Sequence, residues 1–263
     1  MSELPFDAIE RARVADDLQL FYLVACASFI EITTDLYTRN LGEYFAGDDE
    51  VTGWLESRWR PEELQHGAAL KRYVQTAWPD FDWERAYRGF YDEYSRLCVV
   101  ESLAPTRPLE MVARCVVEMG TASYYTVLNQ ASDEPVLRQL TRNIRNDEIN
   151  HYAHFFHYYQ KYGGRPGSGR LKTLRTLIDR LGELDGEDGY VAFKHVFTVR
   201  HPERTFSSET YKMFRRASAR LAQRHFPYTM TVKMFIRPLE FGPRTQRMVV
   251  PMLAYGVRHG LMH

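Results

Sequence analysis

The chain has 263 residues, with 34 Lys+Arg balancing 34 Asp+Glu, 44% hydrophobic residues and 14% aromatics. That balance excludes a disordered chain, a collagen-like fibre and a low-complexity tail, and the length fits one large domain or two small ones. Cys26, Cys98 and Cys115 are the three cysteines, and no CxxC occurs. A thiolate zinc, rubredoxin or thioredoxin site is thereby excluded, and the scattered thiols fit a reducing compartment.

The zero net charge hides an asymmetry. From Gly164 onward there are 18 Lys+Arg against 8 Asp+Glu, a net of +10, and Met1–Gly163 carries the compensating −10. A basic C-terminal region attracts an acidic partner such as a carrier protein, or nucleic acid, or else neutralises the acidic half within one folded unit. The N-terminal run MSELPFDAIERARVADD is charged from its third residue and lacks the apolar core of a secretory signal. The apolar run Leu20–Ile30 is too short for a bilayer and ends in Glu31. The expectation is a soluble, cytoplasmic protein with no membrane contact.

In chain order, helical periodicity predicts helix A over 7–45 and helix B over 61–77. A connecting helix over 83–98, helix C over 107–130 and helix D over 134–162 follow. The segments 45–60 and 78–83 read as short connections. Arg60-Pro61-Glu62-Glu63 places a proline in a first turn beside acids that suit the positive end of the helix dipole, and Ser132-Asp133-Glu134-Pro135 is a second such start. Gly163-Gly164-Arg165-Pro166-Gly167 is the strongest stop. Beyond it, 168–183, 188–198, 207–225 and 243–259 read as helices. No strand alternation is visible, so the expected fold is all-α. It is a single domain over 1–263, with a helical bundle core over about 7–163 and a basic helical extension over 164–263.

Two ExxH motifs fall on different predicted helices: Glu63-Leu64-Gln65-His66 on helix B and Glu148-Ile149-Asn150-His151 on helix D. Three residues of helix turn through about 300°, so Glu and His at i and i+3 share a face and offer one oxygen and one nitrogen to the same point. Helices A and C each add one Glu inside an apolar stretch, Glu31 after Leu23–Ile30 and Glu118 after Met111–Val117. A buried carboxylate is costly to keep charged, and a metal removes that cost.

Glu31, Glu63, His66, Glu118, Glu148 and His151 together make the donor set of carboxylate-bridged di-metal bundles. Four carboxylates balance two divalent ions, and each ion gains one imidazole. The mixed N/O donors favour two iron ions, with Mn/Fe and di-Mn pairs fitting the same set. Glu63 and Glu118, or Glu118 and Glu148, are both open as bridging pairs. Asp147 and Glu62 directly precede the motif glutamates and are placed to accept the free N–H of a ligating histidine, although Glu62 also suits a first-turn dipole role. His154 and His157 continue helix D and read as hydrogen-bonded layer residues. Tyr22, Phe29, Tyr124 and Tyr125 lie near the ligands and suit either a narrow apolar channel or the core.

The segment Trp59-Arg60-Pro61-Glu62-Glu63-Leu64-Gln65-His66-Gly67-Ala68-Ala69-Leu70 resembles the W-x-x-E-E-x-x-H-G-x-x-L motif of the soluble acyl-(acyl-carrier-protein) desaturases. Asp147-Glu148-Ile149-Asn150-His151 is similar to their D-E-x-x-H, and Glu118-Met119-Gly120-Thr121 to their E-x-x-T. Gln65 and Asn150 stand where that family has Arg, and the resemblance covers about residues 15–160. It implies a ferritin-like four-helix bundle with additional helices. It further implies a role for Thr121 in oxygen activation or proton delivery. The implied reaction is O2-dependent removal of hydrogen from an unactivated C–H of a carrier-bound acyl chain to give an alkene. Electrons would come from a ferredoxin-type donor, the partners would be acyl carrier protein or a small-molecule substrate, and the assembly a homodimer.

Other readings are a di-iron mono-oxygenase of a biosynthetic pathway (a hydroxylase, oxidative decarboxylase or N-oxygenase), an iron-storage or peroxide-scavenging protein, and a tRNA hydroxylase. Ile144 occupies the position where N-oxygenases add a histidine, the missing CxxC separates the chain from rubrerythrins, and no aromatic-plus-Arg motif supports nucleic acid as a partner.

Overall fold

A computed structural model describes residues 3–98, 103–163, 169–183 and 186–260, and no strand occurs among them. The fold is all-α. The predicted stop reaches the described residues only at Gly163, whose φ of 89° is a conformation glycine adopts at no steric cost; its remaining residues, 164–167, lie outside them.

The single helix expected over 7–45 is divided. Two 3-10 turns, Phe6–Ala8 and Arg11–Arg13, precede helix α1 (Leu18–Ile32), and helix α2 (Thr34–Tyr44) follows it. Asp17 starts α1 by accepting the amide of Leu20 at 2.9 Å. Thr33 and Thr34 separate the two helices by turning their hydroxyls back onto the carbonyls of Phe29 (2.5 Å) and Glu31 (2.7 Å). Taken together, Leu18–Tyr44 is long and apolar enough to cross a membrane, which Leu20–Ile30 alone is not; 78% of its most apolar window is buried inside the protein.

Helix α3 (Asp49–Trp54) and a wide π turn (Leu55–Trp59) fill the predicted connection and lead straight into helix α4 (Arg60–Ala77), with Pro61 in its first turn. Helix α5 is Trp83–Tyr94, started by Asp82, whose side chain accepts the Arg85 amide. Helices α6 (Arg107–Ala131), α7 (Pro135–Lys161), α8 (Arg170–Glu183), α9 (Glu187–Arg200) and α10 (Ser208–His225) follow. Helix α11 (Tyr228–Ile236), which the sequence reading lacks, precedes α12 (Pro243–Gly260).

The chain forms two compact units. The first comprises Met1–Ser102, Leu128–Asn143 and Gly186–Arg220. Here α1 packs on α4 and α9, and α5 on α9, so part of the predicted extension joins the helices that carry Glu31 and Glu63. Its core is aromatic. Phe21 meets Trp78 and Phe81 edge-on at 5.2 and 5.0 Å, and Phe29, Tyr73 and Phe90 are fully buried. Each such side chain contributes about 1.5–3 kcal/mol through burial. Glu134, also fully buried, accepts the Tyr73 hydroxyl (2.9 Å) and the amides of Val136 and Leu137, closing the start of α7.

The second unit comprises Leu103–Val127, Ile144–Asp185 and Leu221–His263. Here α11 packs on α12. Tyr152 on α7 donates to the Met234 carbonyl at 2.6 Å, and Ser123 on α6 shares a 2.7 Å hydrogen bond with Thr231. Helix α6 also carries a buried ion pair, Arg114 Nε to Glu110 Oε1 at 2.8 Å, with Arg180 of α8 at 3.9 Å from the same carboxylate.

Candidate metal centre

In the first unit, Glu31 sits in the last turn of α1, where Leu20 to Phe29 are all buried. Glu63 and His66 stand three residues apart on α4 and share its inner face. Gly67 explains how closely α4 approaches α1. A Cβ at this position would lie 2.4 Å from the backbone nitrogen of Ile32 and 2.6 Å from its Cα, so only glycine admits the contact. Glu31 is thereby brought beside Glu63 and His66.

The three side chains are 7%, 6% and 0% exposed. Each has a ligand atom within 4.8 Å of the other two. His66 Nδ1 is 4.0 Å from Glu31 Oε2 and 3.9 Å from Glu63 Oε2, too far for hydrogen bonds. Donors that each bind one ion at about 2.0–2.2 Å stand at comparable separations from one another.

The second unit holds a matching triad. Glu118 on α6 and Glu148 and His151 on α7 are 2%, 1% and 1% exposed, and their ligand atoms also lie within 4.8 Å of one another. His151 Nδ1 faces Glu118 Oε2 at 3.5 Å. The Thr121 hydroxyl, one turn beyond Glu118, donates to Glu148 Oε2 at 2.7 Å, with the carbonyls of Glu118 and Val117 at 3.0 and 3.3 Å. A hydroxyl has one proton, and the charged oxygen at the shortest distance takes it.

All six residues named from the two ExxH motifs and the two lone glutamates therefore lie in buried Glu/His groups at metal-ligand separation, an arrangement compatible with a di-metal site. The donor chemistry fits. Leaving anionic carboxylates desolvated costs several kcal/mol each, and a cation held by each Glu2His triad offsets that cost. Carboxylate and imidazole together suit iron or manganese.

The flanking acids differ from each other. Asp147 is half-buried beside Glu148. Glu62 pairs with Arg58 at 2.6 Å in the first turn of α4, the helix-start placement that the sequence allowed as its second role. His154 and His157 are exposed, and His154 Nδ1 bonds back to the Asn150 carbonyl at 3.0 Å. Tyr22 and Phe29 are buried in the first unit; Tyr22 hydrogen-bonds His201 Nε2 at 2.7 Å, and burial pushes its phenol up to about 12. In the second unit Tyr125 is buried and Tyr124 half-buried.

Sequence reasoning missed the buried Glu110–Arg114 pair. Its signal was present, because Arg114 interrupts the apolar run Met111–Val117 four residues after a glutamate. No family model matches the chain, and no curated protein or solved structure matches it.

Proposed function

We propose that the protein is an O2-dependent non-heme di-iron oxidoreductase of ferritin-like fold. In this reading each buried Glu2His triad holds one iron. Glu31, Glu63 and His66 would hold one ion, and Glu118, Glu148 and His151 the other. The observation that supports it is the duplication itself: two buried Glu2His triads, each built on an ExxH helix and a lone glutamate from a second helix.

Bound iron would supply the redox capacity to activate oxygen against an unactivated C–H bond. The chain's own contribution is positional. Gly67 sets the spacing of the first triad. Thr121 fixes the Glu148 carboxylate and holds a proton at Oγ1 that can be passed to a neighbouring oxygen. Burial of all six donors excludes water from the reacting atoms. The proposed outcome is desaturation of an acyl or similar apolar chain, with hydroxylation by the same donor set as the second reading. An acyl carrier protein and a ferredoxin-type reductant are the proposed partners.

The experiment is iron loading followed by metal analysis and by dithionite/O2 titration. Two irons per chain and O2 consumption beyond stoichiometric oxidation are expected in the presence of a carrier-linked acyl substrate. Failure to bind iron overturns the metal assignment, and oxidation that stops at the stoichiometry of bound iron overturns the enzymatic one.

A further inference from the structure

Helix α5 carries Trp83, Tyr87 and Tyr91 at i, i+4 and i+8, so three oxidisable rings follow one another along one face. Trp83 and Tyr87 are stacked, with ring centroids 4.7 Å apart and planes 20° from parallel, and Tyr91 follows at 6.0 Å. The series begins in the core, where Trp83 is 2% exposed, and ends at the surface, where Tyr91 is 39% exposed.

Its inner end packs on α1 within the turn that precedes Glu31. Trp83 Nε1–H donates to Ser28 Oγ at 2.8 Å. The Phe29 ring packs on Trp83 and Tyr87 at 5.2 and 5.6 Å. Ser28 precedes Glu31 by three residues, about 4.5 Å of helix rise. Lys71 Nζ lies 4.2 Å over the Trp83 ring, and a cation there disfavours a second positive charge on the indole. An electron vacancy arriving at Trp83 is therefore driven outward, toward the tyrosines.

We propose that the α5 ring series is an exit for oxidising equivalents, which discharges the oxidised metal centre through Tyr91 when no substrate is bound. This rests on the di-iron reading. In one step, a single electron passes from Tyr91 through Tyr87 and Trp83 to the oxidised metal centre. The Tyr91 O–H bond breaks, its proton goes to solvent, and a neutral tyrosyl radical remains. An external reductant of the thiol or ascorbate class then returns one electron and one proton. Packing alone would be satisfied by phenylalanine at 87 and 91; the hydroxyls are what make the outer rings able to surrender a proton with the electron.

The test uses the iron-loaded full chain, reduced with dithionite and exposed to O2 without substrate in the presence of a nitroso spin trap. Metal analysis, freeze-quench electron paramagnetic resonance and peptide mass spectrometry are the readouts. A tyrosyl signal and a trap adduct on Tyr91 are expected. Tyr91→Phe should move the adduct to Tyr87, and Tyr87→Phe should abolish the Tyr91 adduct while iron content stays at the wild-type value. An adduct confined to residues outside α5, or one on Tyr91 that survives in Tyr87→Phe, overturns the exit route and leaves the metal reading intact. A chain that binds no iron overturns both, and metal analysis tells the two failures apart.

Discussion

The Thr121 hydroxyl of α6 donates to Oε2 of Glu148 on α7 across 2.7 Å. This hydrogen bond ties the helix carrying one lone glutamate to the helix carrying an ExxH motif, and it orients the Glu148 carboxylate. Partners of this kind are typically worth about 10–100-fold in metal affinity or activity. Thr121→Val keeps the side-chain shape and removes the donor. Its iron affinity, measured by chelator competition, should fall within that range while the helical circular dichroism is unchanged. Wild-type affinity and turnover in this variant would mean that Glu148 is oriented without Thr121.

Glu148→Ala removes a carboxylate from the second triad and leaves His151 and Glu118 buried with an incomplete donor set. Metal analysis should show the loss of at least one iron per chain. In the wild type, iron at about a hundred times its Kd should stabilise by about 2.7 kcal/mol. For a domain of this size that corresponds to a rise in melting temperature of roughly 5–10 °C. The variant should show a clearly smaller rise. Two irons with wild-type spectra in Glu148→Ala would refute the ligand assignment.

Gly67→Ala places a methyl group against the backbone of Ile32, which has no rotamer with which to yield. Overpacking of this type costs about 1–3 kcal/mol. Calorimetry should show that loss, and iron binding should weaken with it, because α1 moves away from Glu63 and His66. Gly89→Ala is the control. The three atoms nearest to its methyl group all belong to the His195 ring, the first at 2.5 Å, and a side chain can swing aside. Stability should fall less and iron binding should not change.

Glu93 on α5 accepts Lys194 Nζ at 2.8 Å and His195 Nε2 at 2.8 Å, both from α9. Burial alone would raise its carboxyl, but the hydrogen bonds from Lys194 and His195 outweigh that and hold it below the usual glutamate range. A depressed carboxylate stabilises the fold above its unfolded value of about 4.5, and the contribution is lost as pH falls through the lower folded value. Melting temperature measured from pH 6 downward should therefore decline below about pH 4.5 partly through α5–α9 separation. Glu93→Gln should flatten that part of the decline. An unchanged acid limb in the variant would assign the loss to other carboxylates.

The candidate donor set was more legible in the sequence than the fold around it. Pro61 and Pro135 mark first turns, and the observed starts of α4 at Arg60 and α7 at Pro135 follow from them. Helical geometry puts the Glu and His of each ExxH motif on one face, and the apolar neighbours of that face turn it inward. The break at Thr33 was harder to see. The apolar run does give way to a polar stretch after Ile32, but a change in polarity does not by itself end a helix; the break depends on hydroxyls that compete for the carbonyls of Phe29 and Glu31. Helix α11 escaped because Tyr228–Ile236 mixes β-branched and aromatic residues without a helical stripe. The Thr121–Glu148 bond was not legible: the resemblance singles out Thr121 but names no partner for it, and no spacing rule links a residue of α6 to one of α7.

The π turn at Leu55–Trp59 gives one further consequence. Each residue of helix contributes about 100° of azimuth, and a π turn holds a surplus residue relative to α geometry. That surplus sets the angular phase at which α4 leaves α3, and with it the bearing of Glu63 and His66. A single deletion between Leu55 and Trp59 would rephase α4 and swing both donors off the bearing shared with Glu31, so the tolerance of this chain to insertion and deletion should change abruptly at that point.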